Sequence, residues 1–243
     1  MRVAFIVEYD GTDYAGWQIQ KNDITVQQKL EEALMTLGKG HITVFGAGRT
    51  DSGVHARGQC GHFDIDTNIP AQKFAFILNS MLPADIRVKR SWEASPDFHC
   101  RFSAKGKRYI YRIINAPHAS AMFSRFSMHV PEKLDLELMQ KAAGYIIGTH
   151  DFKAFCAAGS SAKTTVRTVT RLDIVKSDDL IEIIVEGNGF LYNMVRIIAG
   201  TLIEVGKKKK TPEQIKEIID GCVRKDAGMT ADAKGLTMDE VFY

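Results

Sequence analysis

Asp51 stands in the stretch Gly48-Arg49-Thr50-Asp51-Ser52-Gly53-Val54-His55-Ala56, a lone carboxylate between two glycines, beside an arginine and two hydroxyl side chains. A carboxylate so placed can act as a nucleophile or as a base, provided it is ionised and not hydrated away from the reacting atoms. Apolar residues flank the stretch: Leu34, Leu37, Val44 and Phe45 before it, Phe63 and Ile65 after it. Binding and catalytic groups gather on polar loops between core segments, and the glycines allow close approach to a substrate. Two plainer readings compete. Asp, Ser and Gly also favour ordinary turns. Gly46-Ala47-Gly48 with Gly53 looks like a phosphate loop, but it lacks a Gly-Lys-Ser/Thr ending and the GxGxxG spacing, so nucleotide binding is not expected.

The elements that must hold this loop can be read from periodicity. Val3–Tyr9 reads as a strand stopped by Asp10-Gly11, and Thr25-x-x-Gln28 as a capping box for a helix with Val26, Leu30, Ala33, Leu34 and Leu37 on one face. Gly38 and Gly40 stop that helix. Ile42–Phe45 leads into the loop, and a strand follows at about His62–Ile65. Pro70 opens a second helix with Phe74, Ile77, Leu78 and Met81 on its apolar side, and Ile86–Trp92 reads as a strand. Arg108–Ile114 alternates as a strand, which puts Tyr109 and Tyr111 on one face. Asp135 caps a helix carrying Leu136, Met139, Ala143 and Ile146. Residues 165–176 and 180–186 form a hairpin about Ser177-Asp178-Asp179, Phe190–Ile198 reads as an apolar helix, and Thr211-Pro212-Glu213-Gln214 opens another, burying Ile215, Ile218, Ile219 and Cys222.

Strands and helices mix without strict βαβ alternation. That favours an α+β fold: two similar domains with antiparallel sheets forming a central sheet flanked by helices, and an active-site cleft between them. The expected domains are 1–104, carrying the Asp51 loop, and 105–243, carrying Tyr109 and Arg196. The chain has 243 residues, 45% hydrophobic and 25% charged, which is ordinary for a globular protein with a substantial core. A net charge of +3 permits a nucleic-acid partner without arguing for one. Cys60, Cys100, Cys156 and Cys222 form no CxxC pair, and His62 and His99 beside them read as chance neighbours, so no metal is expected. Isolated thiols, no apolar run of membrane length and an N-terminus that reads as a strand point to the cytoplasm, with no membrane association.

Three further segments accompany the Asp51 loop. They are Tyr9-Asp10-Gly11-Thr12-Asp13-Tyr14-Ala15-Gly16-Trp17-Gln18, Phe98-His99-Cys100-Arg101-Phe102-Ser103-Ala104-Lys105-Gly106-Lys107-Arg108-Tyr109, and Phe190-Leu191-Tyr192-Asn193-Met194-Val195-Arg196. In this order, with Leu78–Pro83 and Lys234–Leu236, they resemble the TruA family of tRNA pseudouridine synthases over essentially the whole chain. The resemblance implies an isomerase that converts uridine to pseudouridine at positions 38, 39 and 40 of the tRNA anticodon stem-loop. It implies a two-domain α+β fold acting as a homodimer, with no cofactor and no metal. The family's catalytic aspartate falls at Asp51, its active-site tyrosine at Tyr109 and its active-site arginine at Arg196, with Arg49 and Leu191 at further active-site positions. Ser52 stands where the family usually has alanine, and Asp232 where proline is common.

Read this way, the Arg196 guanidinium keeps Asp51 ionised in a dry site, against the plainer reading of an arginine reaching solvent from an apolar helix. Tyr109 stacks on the flipped uracil or relays a proton, against the default of a core tyrosine. Arg101, Lys105, Lys107, Arg108 and Arg167 are candidates for phosphate contacts, as are Arg112, Lys163 and Arg171. Rival functions are a non-catalytic tRNA-binding protein and a glycosyl hydrolase. The hydrolase needs a second carboxylate that the motif does not supply.

Overall fold

The computed structural model describes residues 1–38 and 40–243. The chain divides into two compact units, Met1–Lys105 with Thr237–Tyr243, and Gly106–Leu236. The last seven residues, which the sequence pattern assigns to the second half, therefore belong with the first.

The first unit runs β1 (Arg2–Tyr9), α1 (Val26–Met35), β2 (Phe45–Gly46), β3 (His55–Asp64), α2 (Phe74–Asn79) and β4 (Ile86–Ala94). Strand β1 pairs antiparallel with both β3 and β4, and β2 pairs antiparallel with β3. Helix α1 starts where the capping box places it: the Thr25 side chain accepts a hydrogen bond from the Gln28 N–H at 3.3 Å. Its face of Val26, Leu30, Ala33 and Leu34 is buried, and Phe5, Phe63, Phe74, Leu78 and Ile86 complete a fully enclosed core. Strand β3 begins seven residues earlier than expected, inside the motif itself. Gly61 hides it from pattern reading, because glycine disfavours strands. Here the glycine makes room for a neighbour, since a Cβ would lie 2.3 Å from the Phe5 ring. Pro70 precedes a short 3-10 turn, Ala71–Lys73, before α2 begins.

The second unit holds β5 (Gly106–Ile114), β6 (Met128–His129), α3 (Leu136–Ile146), β7 (Gly148–Asp151), β8 (Val166–Ser177), β9 (Leu180–Gly187), α4 (Met194–Gly206) and α5 (Gln214–Gly221). Strands β5, β9, β8 and β7 form an antiparallel run, with β6 parallel to β5. Asp135 caps α3 through Leu138 N–H. Helix α4 is buried along most of its length, and Ile197, Ile198 and Leu202 are fully enclosed. It starts at Met194 and not at Phe190, because Asn193 takes a left-handed conformation (φ 59°) that breaks the helical run. In α5 the Gln214 side chain accepts from Thr211 N–H at 2.9 Å, one half of the expected box, but the helix opens only at Gln214 and Cys222 ends it half-buried.

Strand β10 (Leu236–Phe242) follows, and its Thr237 and Met238 pair parallel with His55 and Ala56 of β3. Each unit is thus α+β, with mainly antiparallel pairing and one parallel pair. Among the described residues no helix is long and apolar enough to cross a membrane.

Candidate active site

In the first unit the Asp51 loop joins β2 to β3, and the segment after β1 wraps around it. Trp17 N–H donates to Thr50 O at 3.0 Å, and Gly53 N–H and Ser52 Oγ both donate to Tyr14 O at 3.3 Å. Gly16 has φ +92°, and a Cβ there would lie 2.3 Å from Thr50 O, so only glycine allows this approach. The Tyr9 and Thr50 hydroxyls share a buried hydrogen bond of 2.7 Å. Burial pushes the Tyr9 phenol well above its ordinary range, so it stays neutral. From β3, Gln59 Nε2 donates to Gly48 O at 2.7 Å. His55, also buried, accepts from Gly11 N–H at 3.0 Å and lies 3.2 Å from the Asp10 carboxylate. The loop is closed within itself by Val54 N–H donating to Asp51 O at 3.1 Å. Asp51 is half-buried and Arg49 exposed on this fixed backbone.

The first two motifs of the sequence are therefore one structural device. The Tyr9–Trp17 segment supplies the contacts that fix the loop carrying Asp51. Sequence reasoning does not single out Tyr9 or Gln59. The only signal for Gln59 is a polar side chain on a strand whose neighbours are buried.

In the second unit Tyr109 lies on β5, buried, with its ring edge-on to Phe190 at 5.2 Å and 83°. Tyr111 shares its strand face but has a structural task. Its hydroxyl donates to Asp232 O at 2.8 Å, and burial raises its pKa far above the ordinary value. Leu191 is buried in the turn that precedes α4. Arg196 lies in the first turn of α4, half-buried. Its Nε donates to Ala231 O at 2.8 Å and its Nη1 to Asn193 Oδ1 at 2.9 Å, while Ala231 N–H donates back to Arg196 O at 3.1 Å. The guanidinium is thus held in one orientation and does not simply reach into solvent.

The basic candidates divide by their partners. Arg101 and Lys105 are exposed, and Lys107 is half-exposed. Arg108 is bonded to Glu186 at 2.7 Å across the β5–β9 pair, and Arg112 to Glu182 at 2.8 Å. Arg171 binds Asp173 at 2.5 Å and Glu186 at 3.2 Å, and Arg167 donates to Thr164 O and Val166 O. Lys207, Lys208 and Lys210 each meet a carboxylate.

Three potential metal donors come together in the first unit. His62, His99 and Cys100 place one ligand atom each within 4.8 Å of one another, although their sequence neighbours suggest only chance. One nitrogen of each ring and the thiol already take part in hydrogen bonds. His62 Nδ1 accepts from Cys100 N–H at 3.4 Å, His99 Nδ1 accepts from Arg101 N–H at 3.2 Å, and the Cys100 thiol donates to Phe45 O at 3.4 Å. Burial, aided by His99 and Arg2, pushes His62 down to about 4, so its ring is uncharged at neutral pH. The His62 ring stacks with Phe45 instead, at 5.0 Å and 17°.

Residues 5–103 and 142–243 match a family model described as tRNA pseudouridine synthase. Among similar proteins, a tRNA pseudouridine synthase A of Acetivibrio thermocellus is 51% identical over 241 residues, covering 99% of this chain and 99% of that protein. One of Ruminiclostridium cellulolyticum is 51% identical over 243 residues, covering 100% and 99%. One of Brevibacillus brevis is 48% identical over 242 residues, covering 100% and 99%.

Proposed function

Since this chain belongs to the tRNA pseudouridine synthase family, we propose that it isomerises uridine to pseudouridine at positions 38, 39 and 40 of the tRNA anticodon stem-loop, with Asp51, Tyr109 and Arg196 as its catalytic residues. The reaction breaks the N1–C1′ bond, turns the base and joins C5 to C1′. Atoms and oxidation state are conserved, so the proposal includes no cofactor. The observation that carries it is the half-buried Asp51 on a loop whose backbone is bonded on both sides, by Tyr14 and Trp17 and by Gln59. Such fixing supports a carboxylate that must meet one atom of a bulky substrate in a set geometry.

In this reading Asp51 either attacks the sugar or base, or removes a sugar proton so that a glycal forms. Arg196 keeps it ionised, since a nearby guanidinium favours the charged carboxylate. Tyr109 stacks on the uracil, and Leu191 and Arg49 line the approach. A paired uridine must leave the stack before any of this, at a cost of a few kcal/mol. Arg49 fills the space it vacates or holds the backbone. Arg101, Lys105, Lys107 and Arg167 contact phosphates, whereas Arg108, first expected among them, stays paired with Glu186. The protein acts in the cytoplasm as a homodimer. Site-resolved pseudouridine mapping of tRNA treated with the purified chain tests the proposal. Pseudouridine at positions 38 to 40 is the expected result, and unmodified tRNA would leave only a binding protein.

A further inference from the structure

The turn Pro96–Ser103 is tightly braced, yet it presents an apolar ring to solvent. Arg2 Nη1 donates to Pro96 O at 2.5 Å and to Phe98 O at 2.7 Å, while its Nε and Nη2 bind Asp64. The Tyr243 hydroxyl donates to Cys100 O at 2.7 Å. Ser103 closes the turn, with its N–H on His99 O at 2.9 Å and its Oγ accepting from His99 N–H at 3.1 Å. From this rigid turn Phe102 projects with 76% of its surface exposed.

Phe102 belongs to a continuous array of rings. His99 lies 4.4 Å from it, Phe45 is 5.7 Å from His99, and His62 backs both His99 and Phe45. Phe45 is itself 44% exposed. The Arg101 guanidinium sits over Phe102 at 5.7 Å, a cation–π contact at the surface. Exposed aromatic faces with a cation alongside are what a nucleobase and its phosphate need: the base stacks and the charge meets the backbone. The position fits as well. Phe45 opens the segment that reaches Asp51 six residues on, so at most about 20 Å of chain separates them.

We propose that Phe102, His99 and Phe45, with the Arg101 guanidinium, form a preformed stacking platform for unpaired bases of the RNA a few nucleotides from the target uridine. The inference rests on the function proposed above, because it takes RNA as the ligand. The bracing of the turn has a reason on this view, since a platform fixed before binding loses little entropy when a base settles on it.

The test uses an RNA stem-loop substrate with 2-aminopurine at one position at a time on either side of the target uridine, mixed with the full chain. Quenching at one or more positions is expected, and it should disappear in both Phe102→Ser and Phe45→Ser. Removing one stacking ring should raise KM about five- to a hundredfold, more than it lowers kcat. Absence of quenching at every position, or an unmoved KM in both variants, overturns the platform. So does a change of oligomeric state in sedimentation with KM unmoved, which makes this face a contact between protein copies. Wild-type protein that forms no pseudouridine in the same RNA removes the proposed function instead, so the two failures are separable. Circular dichroism checks that each variant is folded.

Discussion

Asp51 and its two proposed companions make different demands on a single substitution. Asp51→Asn keeps the size of the side chain and removes its charge. It should abolish pseudouridine formation while leaving melting temperature and tRNA affinity nearly unchanged, because the loop is held through its backbone and through Tyr14, Trp17 and Gln59. Substantial turnover by the pure variant would remove Asp51 from the chemistry. Tyr109 poses a finer question. Its ring packs against Phe190, and Tyr109→Phe keeps that packing. If the ring only stacks, turnover stays near wild type. A fall of more than about tenfold at unchanged affinity would assign the hydroxyl to proton transfer, although a free phenol with a pKa of about 10 is a weak base. Stopped-flow binding and single-turnover rates distinguish these outcomes.

At the scale of elements, the site depends on how one segment grips another. The Tyr9–Thr50 bond ties β1 to the Asp51 loop from within the core. Tyr9→Phe leaves Thr50 without this partner at a cost of about 1–3 kcal/mol. In a chain of this size that lowers the melting temperature by roughly 2–4 °C per kcal/mol. A small displacement of Asp51 should also slow turnover by about ten- to a hundredfold. Calorimetry beside single-turnover kinetics checks both, and wild-type rates in the variant would show that the loop needs no such anchor.

Asp232 illustrates the opposite direction. Its φ of −57° is already that of proline, and it follows Ala231, whose carbonyl holds Arg196. Asp232→Pro should therefore stabilise the chain by about 0.4–1 kcal/mol. A lower melting temperature would mean that the ring does not fit here.

For the molecule as a whole, a net charge of +3 is too small to hold RNA by total charge. Binding must come from local clusters, and affinity should fall steeply with salt as phosphates release counterions. The slope of log K against log salt changes by about 0.7–0.9 for each phosphate that is no longer neutralised. The ion pairs say which residues should matter. Arg101 and Lys105, on the solvent side of their segment, should each flatten the slope when replaced by Gln. Arg171 is already met by Asp173 and Glu186, so Arg171→Gln should leave the slope nearly unchanged. Filter binding across a salt series reads this directly. A slope equally sensitive to all three would mean that the ion pairs open when RNA arrives.

Residue order alone settles what is local. The Thr25 and Asp135 caps, and the β8–β9 hairpin about Asp178 (φ 52°), are written in residues three or four apart. So is the chemical oddity of Asp51, because its glycine, arginine and hydroxyl neighbours adjoin it in the chain. The start of α4 is not legible in this way, since apolar periodicity does not register a single left-handed residue at Asn193. Which distant segments meet was decided by packing in three dimensions. It returned Thr237 and Met238 to β3, laid Tyr9–Trp17 around the Asp51 loop, and brought the Phe45 and His62 rings against His99. Backbone propensity and side-chain periodicity act over a few residues, whereas these contacts join positions tens to almost two hundred residues apart. They form only because burying the two cores forces the chain back on itself.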